Sequence, residues 1–416
     1  MSMPDRLKTA GSRKELAEKA LNKKAALGDD IDVSSYASSA EGHPYRENPG
    51  QMSPEEKAQM LGVGIMLDDP GQRGGTFIQM DNSIVHSSSS QEGVEVMGIV
   101  QALEKYDWLE DYFWQAVSVD ADKYTAHVEL EQNNGYFIRT LPGIKTVYPV
   151  QSCLYLAHSN LAQKVHNIII AEEGSELHII TGCATHPMQA SGLHLGVSEF
   201  YIKRGARITF TMIHNWAPEI AVRPRSAAII EEDGVFLSNF VCMKPVRTLQ
   251  MYPTADCAGN NAVVRFNSVL VAPHGSSMDT GSRVLLNGKG SRAEIISRAI
   301  TTGGDIIARG YIAGSAPEVK GHLECRGLIL SEKKGGTIHA IPELKGELAG
   351  VDLSHEAAVG KIAEEEVEYL MARGLTRDEA TAAIVRGFLR VDIEGLPPQL
   401  AAELKQAIET SEEDLF

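Results

Sequence analysis

Near the C-terminal end of the chain a thiol, an imidazole and a carboxylate follow one another. Cys325 stands in Gly321-His-Leu-Glu-Cys-Arg-Gly327, and His355 and Glu356 in Asp352-Leu-Ser-His-Glu-Ala-Ala-Val-Gly-Lys-Ile362. Brought together by folding, such a set can hold a metal, because soft thiolate and imidazole both suit iron or zinc. The competing reading is structural: His355 caps a last strand and Glu356 favours the N-terminus of a following turn. Histidine is also concentrated earlier, with His158, His166, His178, His186, His194 and His214 within 57 residues. His186 and His214 are 28 residues apart, and Cys183 lies three before His186. On a fold that repeats at this length the three would stack as metal ligands, although strand and loop histidines more often serve as hydrogen-bonded structural groups.

The remaining chemistry is thin. Cys153, Cys242 and Cys257 sit among aliphatic residues and read as small hydrophobes. Asp279-Thr-Gly281 has the form of an aspartic-protease signature, but that chemistry needs two matched aspartates, so a turn is expected. Neither a Gly-x-x-x-x-Gly-Lys-Ser/Thr phosphate loop nor a Gly-x-Ser-x-Gly elbow occurs. A β-helix lyase or metal-dependent hydrolase using His186 and His214 lacks an acidic cluster to support it.

These residues need elements to position them. From Tyr124 onward the sequence breaks into strands of four to seven residues, with glycines at 174, 205, 234, 259 and 290, spaced by 31, 29, 25 and 31. A period near thirty marks a solenoid in which each copy is a turn plus short strands. A β-sandwich is the rival, but it wants hairpin turns every 8–12 residues and a buried ring, and aromatics make up only 6 % of this chain. The expected fold is therefore mainly β, a parallel β-helix over residues 122–353, between a mostly helical N-terminal region (1–121) and a helical C-terminal domain (354–416).

At the N-terminal side, residues 5–27 carry a thin apolar helical stripe, 28–53 read as a linker, and Ser53-Pro-Glu-Glu56 forms a capping box. Residues 71–90 alternate as a hairpin or edge strand, and helix returns from 90 to 114. Beyond 354, a helix is stopped by Gly374, Thr376-Arg-Asp-Glu379 caps a second, and Pro397-Pro398 opens a third through Ile408. These helices suit either a solenoid cap or a docking platform, with Leu370, Ile384 and Phe388 open to both roles.

Composition narrows the function. A net charge of −16 with no basic, aromatic-interleaved stripe disfavours nucleic acid. Five cysteines without a Cys-x-x-Cys pair fit a reducing cytoplasm rather than a disulfide framework. No signal peptide and no membrane-spanning run is expected.

Several stretches together resemble the SufB/SufD family, the scaffold subunits of the Suf iron–sulfur cluster assembly machinery. They are Glu172-Glu-Gly-Ser-Glu-Leu-His-Ile-Ile-Thr-Gly-Cys183, Gly192-Leu-His-Leu-Gly-Val-Ser-Glu199, Ile213-His-Asn-Trp216, Ala293-Glu-Ile-Ile-Ser-Arg298 and Gly321-His-Leu-Glu-Cys325. His355-Glu-Ala and the run from Tyr369 to Phe388 are the most specific. The resemblance implies a right-handed parallel β-helix and a transient iron–sulfur cluster built at the interface of two such subunits, as a homodimer or a SufB–SufD-type heterodimer. It also implies a SufC-like ABC ATPase docked on the C-terminal helices and a cysteine-derived sulfur donor. The chain itself would then be a scaffold and not an enzyme. Cys325 falls on the family's cluster-assembly cysteine, His355 and Glu356 on its neighbouring ligand candidates, and Cys183 on the interior cysteine that accepts sulfur. The chain departs from the pattern at Ser354, where SufB members often carry Glu, and lacks their Cys-rich N-terminal motif. The alternative within the family is a SufD-like subunit that binds partners and holds no cluster.

Overall fold

The computed structural model describes residues 10–389 apart from 69, 132–133, 187–190 and 331–334. The third C-terminal helix expected from Pro397 lies outside the described residues. Two walls of parallel strands wind into a β-solenoid of about seven turns. The first wall runs, in spatial order, through Gly75–Met80, Val150–Leu156, Glu176–Thr185, Arg207–Asn215, Val235–Cys242, Val263–Ala272, Arg292–Thr301, Lys320–Ile329 and Asp352–Gly360. Leu161–Ala171, Ser191–Ile202, Ser277–Leu286, Asp305–Gly314 and Thr337–Gly346 belong to the second wall. In the middle of that wall two coils carry split strands, Glu219–Val222 with Arg225–Ile230 and Thr248–Met251 with Thr254–Cys257. Pro224 and Pro253 fall in the gaps, where a residue without an N–H cannot join the ladder.

One corner sets the coil. Gly143, Gly174, Gly205, Asp233, Asn261, Gly290, Glu318 and Gly350 all have positive φ, between 55° and 86°. From Gly143 to Gly290, each donates its N–H to the carbonyl of the residue just before its counterpart in the next coil: Gly143 to Glu173, Gly174 to Arg204, Gly205 to Glu232, Asp233 to Asn260, Asn261 to Lys289 and Gly290 to Pro317. The glycine repeat in the sequence is thus a left-handed turn repeat that glycine fills only in part. Gly234 and Gly259 are not the turn residues of their coils; Asp233 and Asn261 are, and a Cβ on Gly259 would sit 1.9 Å from the Glu232 nitrogen.

Three apolar clusters hold the molecule. The largest fills the bore between the walls, from Phe77 and Tyr136 through Phe200, Phe236 and Phe266 to Leu323 and Cys325. A second seals the outer face of the second wall beneath the helices Ala10–Ala20, Ile99–Lys105 and Lys123–Glu131. The third covers the outer face of the first wall with Met52, Met60, Val63, Ile65, Leu67 and Val385. Strands covered on both faces are buried throughout, as in Leu161–Ala171, whereas the later Arg292–Thr301 alternates because its outer face meets solvent.

The expected capping boxes form at Ser53/Glu56 and Thr376/Glu379, starting the helices Pro54–Leu61 and Arg377–Leu389. Residues 75–89 make the hairpin Gly75–Met80/Ser83–Ser89, but residues 94–98 are a strand before the helix Ile99–Lys105 begins. Asp279-Thr-Gly281 is not a turn: it lies inside Ser277–Leu286, where Arg309 grips Asp279 through Nε and a terminal nitrogen at 2.5 and 3.0 Å. The solenoid also continues past residue 354. Leu353 and Val359 face inward against Gly321 and Gly327, so Asp352–Gly360 is a full strand and the first helix is Glu364–Met371. Among the described residues no helix is long and apolar enough to cross a membrane.

Candidate functional site

Register decides what the terminal coil can present. Lys320–Ile329 pairs in parallel with Asp352–Gly360, matching Leu323 to His355, Glu324 to Glu356 and Cys325 to Ala357. Paired residues of parallel strands share a face and successive residues alternate. Cys325 therefore faces the same way as His355, two positions along the neighbouring strand, with Cα atoms about 8 Å apart from strand geometry. Glu356 takes the opposite, outer face with Glu324 and Arg326, and Arg326 reaches it at 3.9 Å. Ser354 is on that outer face too, within 2.9 Å of the His322 ring.

Cys325 is buried while His355 is exposed, because among the described residues no strand stacks beyond the last one. Among the described residues Asp352–Gly360 pairs only with Lys320–Ile329, and Thr337–Gly346 only with Asp305–Gly314, so both walls end in an open edge. Burial raises the Cys325 thiol to about 11, helped by the Glu324 carboxylate and opposed by Arg298. It rests as a thiol at neutral pH, and binding iron releases its proton.

Cys183 faces the bore, and its register partner on the next strand is His214. The expected stacking of His186 with His214 does not occur. The coil here is 31 residues from Cys183 to His214 rather than 28, and His186 falls beyond its strand, on the outer side near Tyr155 and Glu55. Burial holds the Cys183 thiol well above its ordinary value and His214 well below. Five strand spacings, about 24 Å, separate Cys183 from Cys325 along the wall. Between them the bore is packed with Phe200, Phe210, Phe236, Phe240 and Phe266, interrupted by two cavities of about 30 Å³ each.

The C-terminal helices divide the apolar candidates. Phe388 and Val385 pack against the covered face of the first wall near Leu328 and Leu330, and Leu370 and Ile384 are half-buried. Tyr369, Met371 and Leu375 are exposed.

Sequence reasoning missed one constellation: His43, Asp81 and His158 converge with their ligand atoms within 4.8 Å of one another. They come from three segments 38 and 77 residues apart, and no local spacing announces them.

Comparison with known proteins places the chain in a family. The family model of the SUF system FeS cluster assembly SufBD core domain matches residues 154–388. A protein of Archaeoglobus fulgidus named iron-sulfur cluster assembly SufBD family protein is 54 % identical over 373 residues, covering 88 % of this chain and all of that one. A similarly named homologue from Methanothermobacter thermautotrophicus is 51 % identical over 402 residues, 95 % of this chain and 97 % of its own. One from Pyrococcus horikoshii is 30 % identical over 376 residues, 89 % and 84 % of the two chains. The chain belongs to the SufBD family of iron–sulfur cluster assembly proteins.

Proposed function

We propose that the chain is a scaffold on which iron and sulfide are assembled, as cargo, at the open terminal coil. The observation that carries this reading is the shared face of Cys325 and His355 beside an unpaired strand edge. One thiolate and one imidazole are too few to complete a cluster's coordination. An open parallel edge is a template for another chain's strand, so a second copy or a related subunit would close the edge and add the missing ligands. Glu356, on the outer face, joins the set only from the rim of that interface. A mixed thiolate and imidazole set binds iron less tightly than four thiolates, which suits a cargo that must be released.

The helices Glu364–Met371 and Arg377–Leu389 would dock the SufC-like ATPase, presenting Tyr369, Met371 and Leu375 with Leu370 and Ile384 beneath them. Cys183 would accept sulfur from a cysteine-derived donor. Since the bore between the two thiols is filled by phenylalanine rings, sulfur passage requires those rings to swing aside.

The test is anaerobic reconstitution with ferrous iron and sulfide, followed by visible absorption and EPR. Cys325→Ala should abolish the chromophore and His355→Ala should weaken it, while Cys257→Ala leaves it intact. A chromophore that survives Cys325→Ala would falsify the assignment. Burial of the Cys325 thiol favours a second reading, a SufD-like subunit that only positions partners; it predicts ATPase capture with no iron retained by any form.

A further inference from the structure

We propose that His43, Asp81 and His158 form a binding site for a divalent first-row transition metal, separate from the terminal coil and independent of the cluster reading.

The site is built around a fixed carboxylate. Asp81 occupies the turn of the hairpin Gly75–Met80/Ser83–Ser89 with φ 50°, a left-handed conformation that aspartate tolerates better than most residues. Its Oδ1 accepts the backbone N–H of Ala157 at 2.7 Å and of His158 at 3.3 Å. That leaves Oδ2 turned toward two rings: His158 Nδ1 at 2.6 Å and His43 Nε2 at 2.8 Å. A carboxylate oxygen only accepts, so in the metal-free chain both facing nitrogens carry protons. A tautomer shift at each ring turns the same two nitrogens into lone-pair donors that converge on Oδ2, so an ion held by all three requires the carboxylate oxygen to draw back from that point.

Two further features suit a cation. The Asp81 side chain is buried, and its ion-pair partners among the described residues are these two imidazoles, which carry charge only when protonated. A buried carboxylate without a permanent countercharge is costly, and a divalent ion supplies that charge. The His158 side chain is 42 % exposed and that of His43 21 %, so the site opens to solvent and leaves room for water as a further ligand. Two imidazoles with one carboxylate select Fe(II), Zn(II) or a neighbour over Mg(II) or Ca(II). Ligand atoms around a tetrahedral ion stand about 3.3 Å apart, so the nitrogen–oxygen pairs need to widen by about 0.5 to 0.7 Å.

The position gives the metal a mechanical consequence. His43 belongs to an arm held to the hairpin by Ser83 Oγ on the His43 N–H and by the Val85 carbonyl on the Arg46 N–H. Coordination would fasten this arm to the first coils of the solenoid.

The experiment titrates the chelator-stripped full-length protein with Co(II), read by its visible d–d bands. Parallel arms use Zn(II) by calorimetry and Fe(II) under anaerobiosis to find which ion binds more tightly. One equivalent is expected in wild type, in Cys325→Ala and in His355→Ala. Affinity should fall by at least about tenfold in His43→Ala and in His158→Ala, with circular dichroism confirming that both fold. Metal should also raise the thermal midpoint of wild type and slow proteolysis of the arm, and do neither in the two variants. No binding by wild type, or equal binding by the His43→Ala/His158→Ala double variant, overturns the proposal and leaves a hydrogen-bonded cap only.

Discussion

Cys183 and His214 are register partners on neighbouring strands, thiol beside imidazole, both sealed inside the bore. Among the described residues neither ring nitrogen of His214 has a hydrogen-bond partner, and burial keeps the ring neutral. His194, against the same Trp216, is pushed down to about 4.

Acid should therefore loosen the fold early. The unfolded chain protonates these rings near the ordinary value of 6.5, while the folded chain holds them neutral, so stability is full above that pH and is lost as pH falls from there towards 4. His194 alone accounts for about 3 kcal/mol by pH 4. Denaturant unfolding between pH 7.5 and 4.5 reads the slope. His214→Phe should flatten it while changing stability at pH 7.5 by less than about 1 kcal/mol, since no hydrogen bond is lost.

Glu199 ties the N-terminal helical region to the second wall. Its buried carboxylate accepts the backbone N–H groups of Trp114 at 2.7 Å, Ala116 at 2.6 Å and Val117 at 2.9 Å, and the ring Nε2–H of His166 at 2.8 Å. Glu199→Ala strands all of these and should cost about 3–5 kcal/mol in urea unfolding. Glu199→Gln keeps one accepting oxygen but turns an NH2 against the donors on the other side, so it should cost less than Glu199→Ala yet remain destabilising.

The corner residues give paired tests of opposite sign. Gly205→Ala meets no steric obstacle, yet forces a Cβ residue to φ 64° and should destabilise by about 1–2 kcal/mol. Glu318→Gly relieves that conformation at φ 63° and should gain up to about 1 kcal/mol. Equilibrium unfolding midpoints decide both.

The C-terminal helices separate docking from packing. If these helices dock the SufC-like ATPase proposed above, Tyr369→Ala with Met371→Ala should abolish its co-purification without moving the thermal midpoint, because both side chains are exposed. Phe388→Ala should cost about 1–2 kcal/mol, less than a fully buried ring, because it packs against the covered face of the first wall.

The solenoid was legible because the left-handed corner selects glycine in most coils, and Gly174, Gly205 and Gly290 print that choice into the sequence. Asp233, Asn261 and Glu318 fill the same position without glycine and hide the true period of 28 to 32 residues. That small error in coil length is what misplaced His186 against His214. Both capping boxes were legible because their bonds are local. His355 read as the start of a helical region because it interrupts the terminal strand's inward row of Leu353, Ala357 and Val359 with a polar ring. The opposing faces of Cys325 and Glu356 follow from register, and register depends on the neighbouring strand.

The amide-to-carbonyl spine along the corner has a consequence for how such proteins can change. Because the coils are stitched together at that edge, extra residues gained elsewhere in a coil must bulge outward there and leave the stacking of later coils untouched. Lineages can accordingly lengthen or trim exposed connections in the middle of the molecule while the height of the last thiol above the first stays counted in whole strands.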